Sequence, residues 1–231
     1  MNNSELITKL ATTAVSKKSF NKGERMSKLE KLASLLYEHG LYNENEQLLA
    51  SLYKEYLPTT GKTKAKTFNQ WLSKAINNKD VRQYLLHIAV LRGNVIATDG
   101  HRLHMVPNVG ELSEGYYDAN MTRLDDKALG YDVSRFPNYE RVIPNVNKDY
   151  TGYVINLDDC EVYPHDKKVV YKIVFDDKVV HLNKRYLDDA VNMNREVELY
   201  IKDEVSPVVI LNSFEEGSVA VVMPINGGVK K

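Results

Sequence analysis

The chain has 231 residues, 43% of them hydrophobic and 27% charged, which is the composition of a folded protein with room for one large domain or two small ones and excludes disorder as the default. Its 31 basic and 31 acidic residues cancel, so no global basic field marks it for nucleic acid, and any DNA contact must come from a local face. The single cysteine, Cys160, excludes an intramolecular disulfide and a multi-cysteine zinc site and suits a reducing compartment.

The opening MNNSELITKL is too polar for a secretory signal. No stretch approaches the roughly 20 apolar residues of a membrane span, so a soluble cytoplasmic protein is expected. Residues 4–57 then carry a helical period. Leu29, Leu32, Ala33 and Leu36 share one face before His39 and Gly40 supply a stop, and Leu48, Leu49, Leu52, Tyr53 and Tyr56 mark a second amphipathic stretch. An antiparallel helical hairpin joined near Asn43 to Asn45 is expected. Residues 1–57 therefore read as a helical arm that caps the fold or drives self-association, with a specific partner-binding role as the alternative.

Residues 58–66, PTTGKTKAK, have the composition of a linker. From residue 67 to 231 the period changes. Phe68, Trp71, Leu72, Ala75 and Ile76 form one helical stripe, followed by the strand-like LLHIAVLR, NVIAT and RLHMV. Gly93-Asn94 and Asp99-Gly100 stand at the joins, where tight turns need residues that tolerate positive φ. Farther on, Tyr186, Leu187, Ala190 and Val191 mark another short helix before VELYIKD, SPVVILN and SVAVVMPI. The order helix, then three strands, has repeated. Two such units can pair their sheets and lay both helices on one face, giving an α+β domain. Between them, Gly110 to Asp149 is less regular, and Pro137 and Pro144 argue for an extended path.

Three segments, in order, resemble the sliding clamp (beta subunit) family of the bacterial replicative polymerase. They are ATDGHRL at Ala97 to Leu103, RFPNYERVIP at Arg135 to Pro144, and SVAVVMPI at Ser218 to Ile225, the last preceded by the helix NKRYLDDAV. The resemblance covers roughly residues 66–226 and implies a DNA-clamp-like module of two helix-plus-three-strand units, preceded by the α-helical N-terminal region. The family has three domains of two units each and this chain has sequence for about two units in all, so a shortened, phage-encoded or mobile-element form is expected, closing a ring only as an oligomer.

The resemblance also implies a groove for short peptides. Thr98, Gly100, His101, Arg102 and Leu103 match one wall, Pro137, Arg141 and Val142 the floor, and Val221, Val222, Met223, Pro224 and Ile225 the terminal strand opposite. Such residues make an apolar cleft for Leu and Phe anchors of a partner, with Met as adaptable packing and Arg102 and Arg141 at the rim. Read without the resemblance, Leu103, Val142 and Val222 are ordinary core and Arg102 is a surface charge. His101 and His104, three apart on a strand, point to opposite faces and are poorly placed to share a metal. Asp99 beside His101 lacks any nucleophile motif and reads as the first residue of a turn, so neither enzymatic activity nor a cofactor is expected.

The resemblance further implies a DNA-facing helix layer that holds duplex DNA without reading sequence. Lys62, Lys64, Lys66 and Lys74 on and before the first helix, and Lys184 and Arg185 on the second, are the candidates, the latter pair offset by Asp188 and Asp189. The expected function is a processivity-clamp-like factor of DNA replication that captures clamp-binding peptides of polymerases and other DNA-processing proteins and encircles DNA as a homo-oligomer. The alternatives are a clamp-mimicking adaptor or competitor that never encircles DNA and, far behind, a nucleic-acid enzyme using Asp99 and His101.

Overall fold

The structure, a computed structural model, describes residues 64–110, 112–165 and 168–225. The expected arm at residues 1–57 and residues 58–63 of the expected linker lie outside the described residues. Helix α1 (Phe68–Ser73) has the expected apolar stripe, with Trp71 and Leu72 fully buried. It ends earlier than the stripe does. The N–H groups of Lys74, Ala75 and Ile76 each bond to the carbonyl three residues back, the tighter winding common at helix ends.

Strands β1 (Ile88–Leu91), β2 (Asn94–Thr98) and β3 (Arg102–Pro107) follow as an antiparallel meander. The β1–β2 turn differs by one residue from the expected Gly93-Asn94. Arg92 (φ 51°) and Gly93 (φ 73°) supply the two positive φ angles, and Asn94 already pairs with Leu91. The stretch expected to be irregular holds a short strand, β4 (Gly115–Tyr117), the one-turn helices α2 (Asp126–Leu129) and α3 (Val146–Asp149), and two 3-10 turns at Val133–Arg135 and Tyr139–Arg141.

Strands β5 (Thr151–Asn156), β6 (Glu161–His165), β7 (Lys168–Phe175) and β8 (Lys178–Asn183) come next. The second helix, α4 (Lys184–Ala190), leads into β9 (Glu196–Ile201), β10 (Val208–Leu211) and β11 (Val219–Val222). Helix then three strands thus occurs twice. The two meanders join where β3 pairs with β11, Leu103 opposite Val221 and Arg102 opposite Val222, within an eight-stranded sheet ordered β4-β1-β2-β3-β11-β10-β9-β5.

Alternation along β3 sorts its side chains. Arg102 and His104 turn to one face and Leu103 to the other. The first face carries both helices, α1 over β2 and β3 and α4 over β11, tied together where the Trp71 indole Nε1 donates to the Ala190 carbonyl at 3.0 Å. The second face holds Leu85, Ala89, Ile96, Leu103, Tyr116 and Val221 in one cluster, covered by Phe136 and Tyr139 of the irregular stretch. Covered on both sides, these strands read as apolar runs instead of alternating ones.

The chain divides into two compact units. The larger spans Thr63–Cys160 and Ile173–Lys231 and contains the eight-stranded sheet; the described residues of the smaller are 161–165 and 168–172. Within the latter, β6 pairs antiparallel with β7, Glu161 opposite Lys172. The protein is a mixed α/β chain built on antiparallel sheets. Among the described residues no helix is long and apolar enough to cross a membrane.

Candidate peptide-binding site and nucleic-acid interface

The turn between β2 and β3 is held from several directions. Asp99 caps it, its carboxylate accepting from the backbone N–H of His101 (3.0 Å) and Arg102 (3.1 Å) and from Arg102 Nε (3.1 Å). Those bonds occupy a carboxylate that is 3% exposed, which suits a turn residue and leaves little for acid/base chemistry. Thr98 Oγ1 donates to the Arg102 carbonyl at 2.6 Å and accepts from Gly100 N–H at 3.0 Å. Gly100 has φ 83°, and a Cβ there would lie 2.9 Å from the Arg82 guanidinium. Arg82 reaches that position through a two-pronged bond to Asp80 (2.9 and 2.7 Å) and also donates to the Asp99 carbonyl at 2.9 Å. Hydrogen bonding to Arg82 holds the Asp80 carboxyl well below the usual carboxylate range, and the same bond raises Arg82.

Arg102 does not stand at a rim, and this corrects the expectation. Its side chain is 2% exposed, salt-bridged to Asp99 and, at 2.7 Å, to Asp189 of α4, with its guanidinium carbon 4.4 Å from the centre of the Tyr186 ring. The reason is pleat direction: Arg102 lies on the helix face of β3, where only carboxylates can compensate a buried charge. Val222, directly opposite Arg102, is buried on that face too, so it does not share a surface with Leu103 and Val221. Leu103 and Val221 are themselves core residues, as they read without the resemblance.

Three motif segments distant in sequence do meet. Leu103 of the first, Phe136 and Tyr139 of the second and Val221 of the third belong to one cluster. Of the other expected groove residues, Thr98 is buried while Gly100, His101, Pro137 and Arg141 are exposed. Val142, expected in a core on bare pattern, is 47% exposed, and Met223 is 38% exposed. Pro224 and Ile225 are half-buried. Beyond β11 the terminal segment stays registered, since Met223 N–H donates to the His101 carbonyl (2.9 Å) and Ile225 N–H to that of His181 (2.8 Å). The His101 ring stacks on Tyr186 with centroids 6.3 Å apart.

His104 is fully buried, stacked on Trp71 at 4.3 Å. Its Nδ1 lies 2.9 Å from the Trp71 carbonyl, which can only accept, so the proton sits on Nδ1. Nε2 is buried without a hydrogen-bond partner. Burial pushes the imidazole pKa down to about 3.

On the helix side the candidate cations fare differently. Lys62 lies outside the described residues, and Lys64 and Lys66 are exposed. The Lys74 ammonium is enclosed by protein, so it cannot reach a phosphate from this position, a correction to its expected role. Lys184 is salt-bridged to Asp188, whereas Arg185 is 64% exposed and 3.9 Å from Asp189. Asp188 and Asp189 thus lie beside the two cations they were expected to offset, but they are not surface acids. Asp188 and Asp189 are buried at 4% and 0% exposure, facing Arg195 and Arg102 inside the layer. An open cleft of about 520 Å³, lined by Lys66, Phe68, Met121, Phe214 and Glu215, flanks α1. No pattern in the sequence indicated it, because its walls come from the start of α1 and from two loops far from it in sequence.

No family model matches the chain, and no curated protein matches it. Solved structures do resemble it. A sliding clamp (DNA polymerase III subunit beta) from Bartonella birtlesii bound to griselimycin aligns with TM-score 0.44 and 18% identity, over 67% of this chain and 63% of that one. The clamp from Pseudomonas aeruginosa with ligand aligns at 0.46 and 16%, over 68% and 63%. The Helicobacter pylori beta clamp bound to a DNA ligase peptide aligns at 0.46 and 13%, over 68% and 62%. The chain thus spans less than two thirds of the length of each of these structures.

Proposed function

We propose that the protein is a non-catalytic, clamp-like factor of DNA replication that captures short Leu- and Phe-bearing peptides of polymerases and other DNA-processing proteins. The observation that carries this reading is the meeting of the three motif segments at Leu103, Phe136, Tyr139 and Val221. Nothing local brings residues so distant in sequence together; the pairing of β3 with β11 sets Leu103 opposite Val221, and Phe136 and Tyr139 pack on the same cluster. Gly100, His101, Pro137, Arg141, Val142 and Met223 are the exposed candidates available to a ligand, and Pro224 and Ile225 are half-buried. Half-exposed Val142 and Met223 suit anchor contacts that become desolvated on binding. Residues 67–231 form the clamp-like part, 58–66 a linker whose last residues are held against that part through the buried Ala65, and 1–57 an arm for homo-oligomerisation, through which copies encircle duplex DNA in the cytoplasm. Calorimetric titration with a peptide carrying such a motif tests the reading, and absence of heat with every motif variant removes it.

An adaptor that binds partner peptides without encircling DNA is a second reading, favoured by the enclosed Lys74 ammonium and the Lys184–Asp188 pair. Light scattering of the full chain, with binding to circular and linear duplexes at two salt concentrations, separates the two. A ring requires several copies and is trapped on circles.

A further inference from the structure

One buried amide does an unusual job. Asn192, just past α4, is 3% exposed and holds a left-handed backbone at φ 49°. Its amide closes a two-way clasp on a single residue, Oδ1 accepting from Ala65 N–H at 2.8 Å and Nδ2 donating to the Ala65 carbonyl at 3.2 Å. This mimics one rung of a β-ladder and fixes the path of the backbone at Ala65. The neighbouring residues are secured without loss of charge. Lys64 Nζ donates to Asn194 Oδ1, a neutral amide, at 3.1 Å, and the Lys66 N–H donates to Gln70 Oε1 at 2.9 Å, leaving its ammonium exposed. Ala65 is buried between the two exposed lysines, so their backbone lies as a strap against the helix layer.

We propose that Asn192 is a positioning residue whose clasp on Ala65 lays Lys64 and Lys66 along the helix face as a fixed pair of phosphate contacts for duplex DNA. This rests on the DNA-facing reading of that layer. The gain from fixing the strap is preorganisation, because two lysines on a released chain would have to be ordered at the moment of binding. With Lys74 enclosed and Lys184 paired, this strap and Arg185 hold the exposed positive charge among the candidate positions described.

The test uses the full chain and duplexes of unrelated sequence across a salt series. Asn192→Gly keeps the positive φ at no steric cost while deleting the clasp, and Asn192→Asp keeps a small residue but replaces the donor with a carboxylate. Lys64→Gln with Lys66→Gln deletes the charges and leaves the clasp. All are expected to lower the slope of log K against log salt by about 1 to 2, the loss of one or two phosphate contacts. Peptide binding should be unchanged, and the Ala65 amide should exchange faster only in the Asn192 variants. If the wild type shows no salt-dependent affinity, the DNA-facing reading fails and takes this inference with it. If the wild type shows it and the lysine double variant keeps the full slope, the inference alone falls. The same follows if Ala65 exchange rises in either Asn192 variant while the slope holds.

Discussion

Arg102 Nη1 donates to Asp189 Oδ2 at 2.7 Å across 87 residues of sequence, with the two side chains 2% and 0% exposed. This pair fastens the β2–β3 turn of one meander to the helix that opens the other. Breaking a buried pair from one side strands a charge, whereas replacing both members with apolar groups does not.

Asp189→Ala is therefore expected to destabilise the fold by about 3 kcal/mol, since Asp99 alone is left to compensate Arg102. Pairing it with Arg102→Met should recover part of the loss. Urea unfolding of the single and double variants checks this, and equal stabilities for Asp189→Ala and wild type would show that the pair contributes nothing.

Gly100 occupies a left-handed position against Arg82. Gly100→Ala adds backbone strain and a contact that the Arg82 side chain must yield to, with an expected cost of about 1 to 2 kcal/mol. Arg82→Ala in the same chain should relieve the contact and leave the strain. Thermal denaturation of the single and double variants separates the two contributions.

His104 sets a pH dependence. Its folded pKa, about 3, is below the unfolded value near 6.5, so between these values the unfolded chain binds a proton that the native chain excludes. Stability then falls as pH drops through that window, by at most about 1.4 kcal/mol per pH unit from this group. His104→Gln should flatten the profile, which chemical denaturation between pH 7 and 4 would reveal. A profile of unchanged slope in the variant would assign acid sensitivity to other groups.

Met223, 38% exposed, is expected to weaken peptide binding by about 1 to 3 kcal/mol when cut to Ala, if a ligand anchor desolvates it. Its backbone bond to His101 survives the change, so the fold should not lose measurable stability. Titration of the variant beside wild type, with thermal stability as control, reads the two effects apart.

Local pattern sufficed for both helices, both three-strand runs and the need for Gly100, because apolar spacing and positive-φ residues act over a few positions. It also recovered the repeat, and hence the possibility of pairing two meanders. What it could not supply was direction. Arg102, read as a surface or rim charge, is buried because the β3–β11 register turns it toward Asp189. Asp188 and Asp189, read only as offsetting Lys184 and Arg185, are buried on α4 and also face Arg195 and Arg102. Strands β4 to β8 were not expected either. β4 has three residues, and the edge strand β5 is exposed or half-exposed at every position, so neither carries a buried alternation to recognise. Whether a charged side chain enters the core depends on a partner from far along the chain, and the clasp of Asn192 on Ala65, 127 positions apart, exists only once the helices share a face.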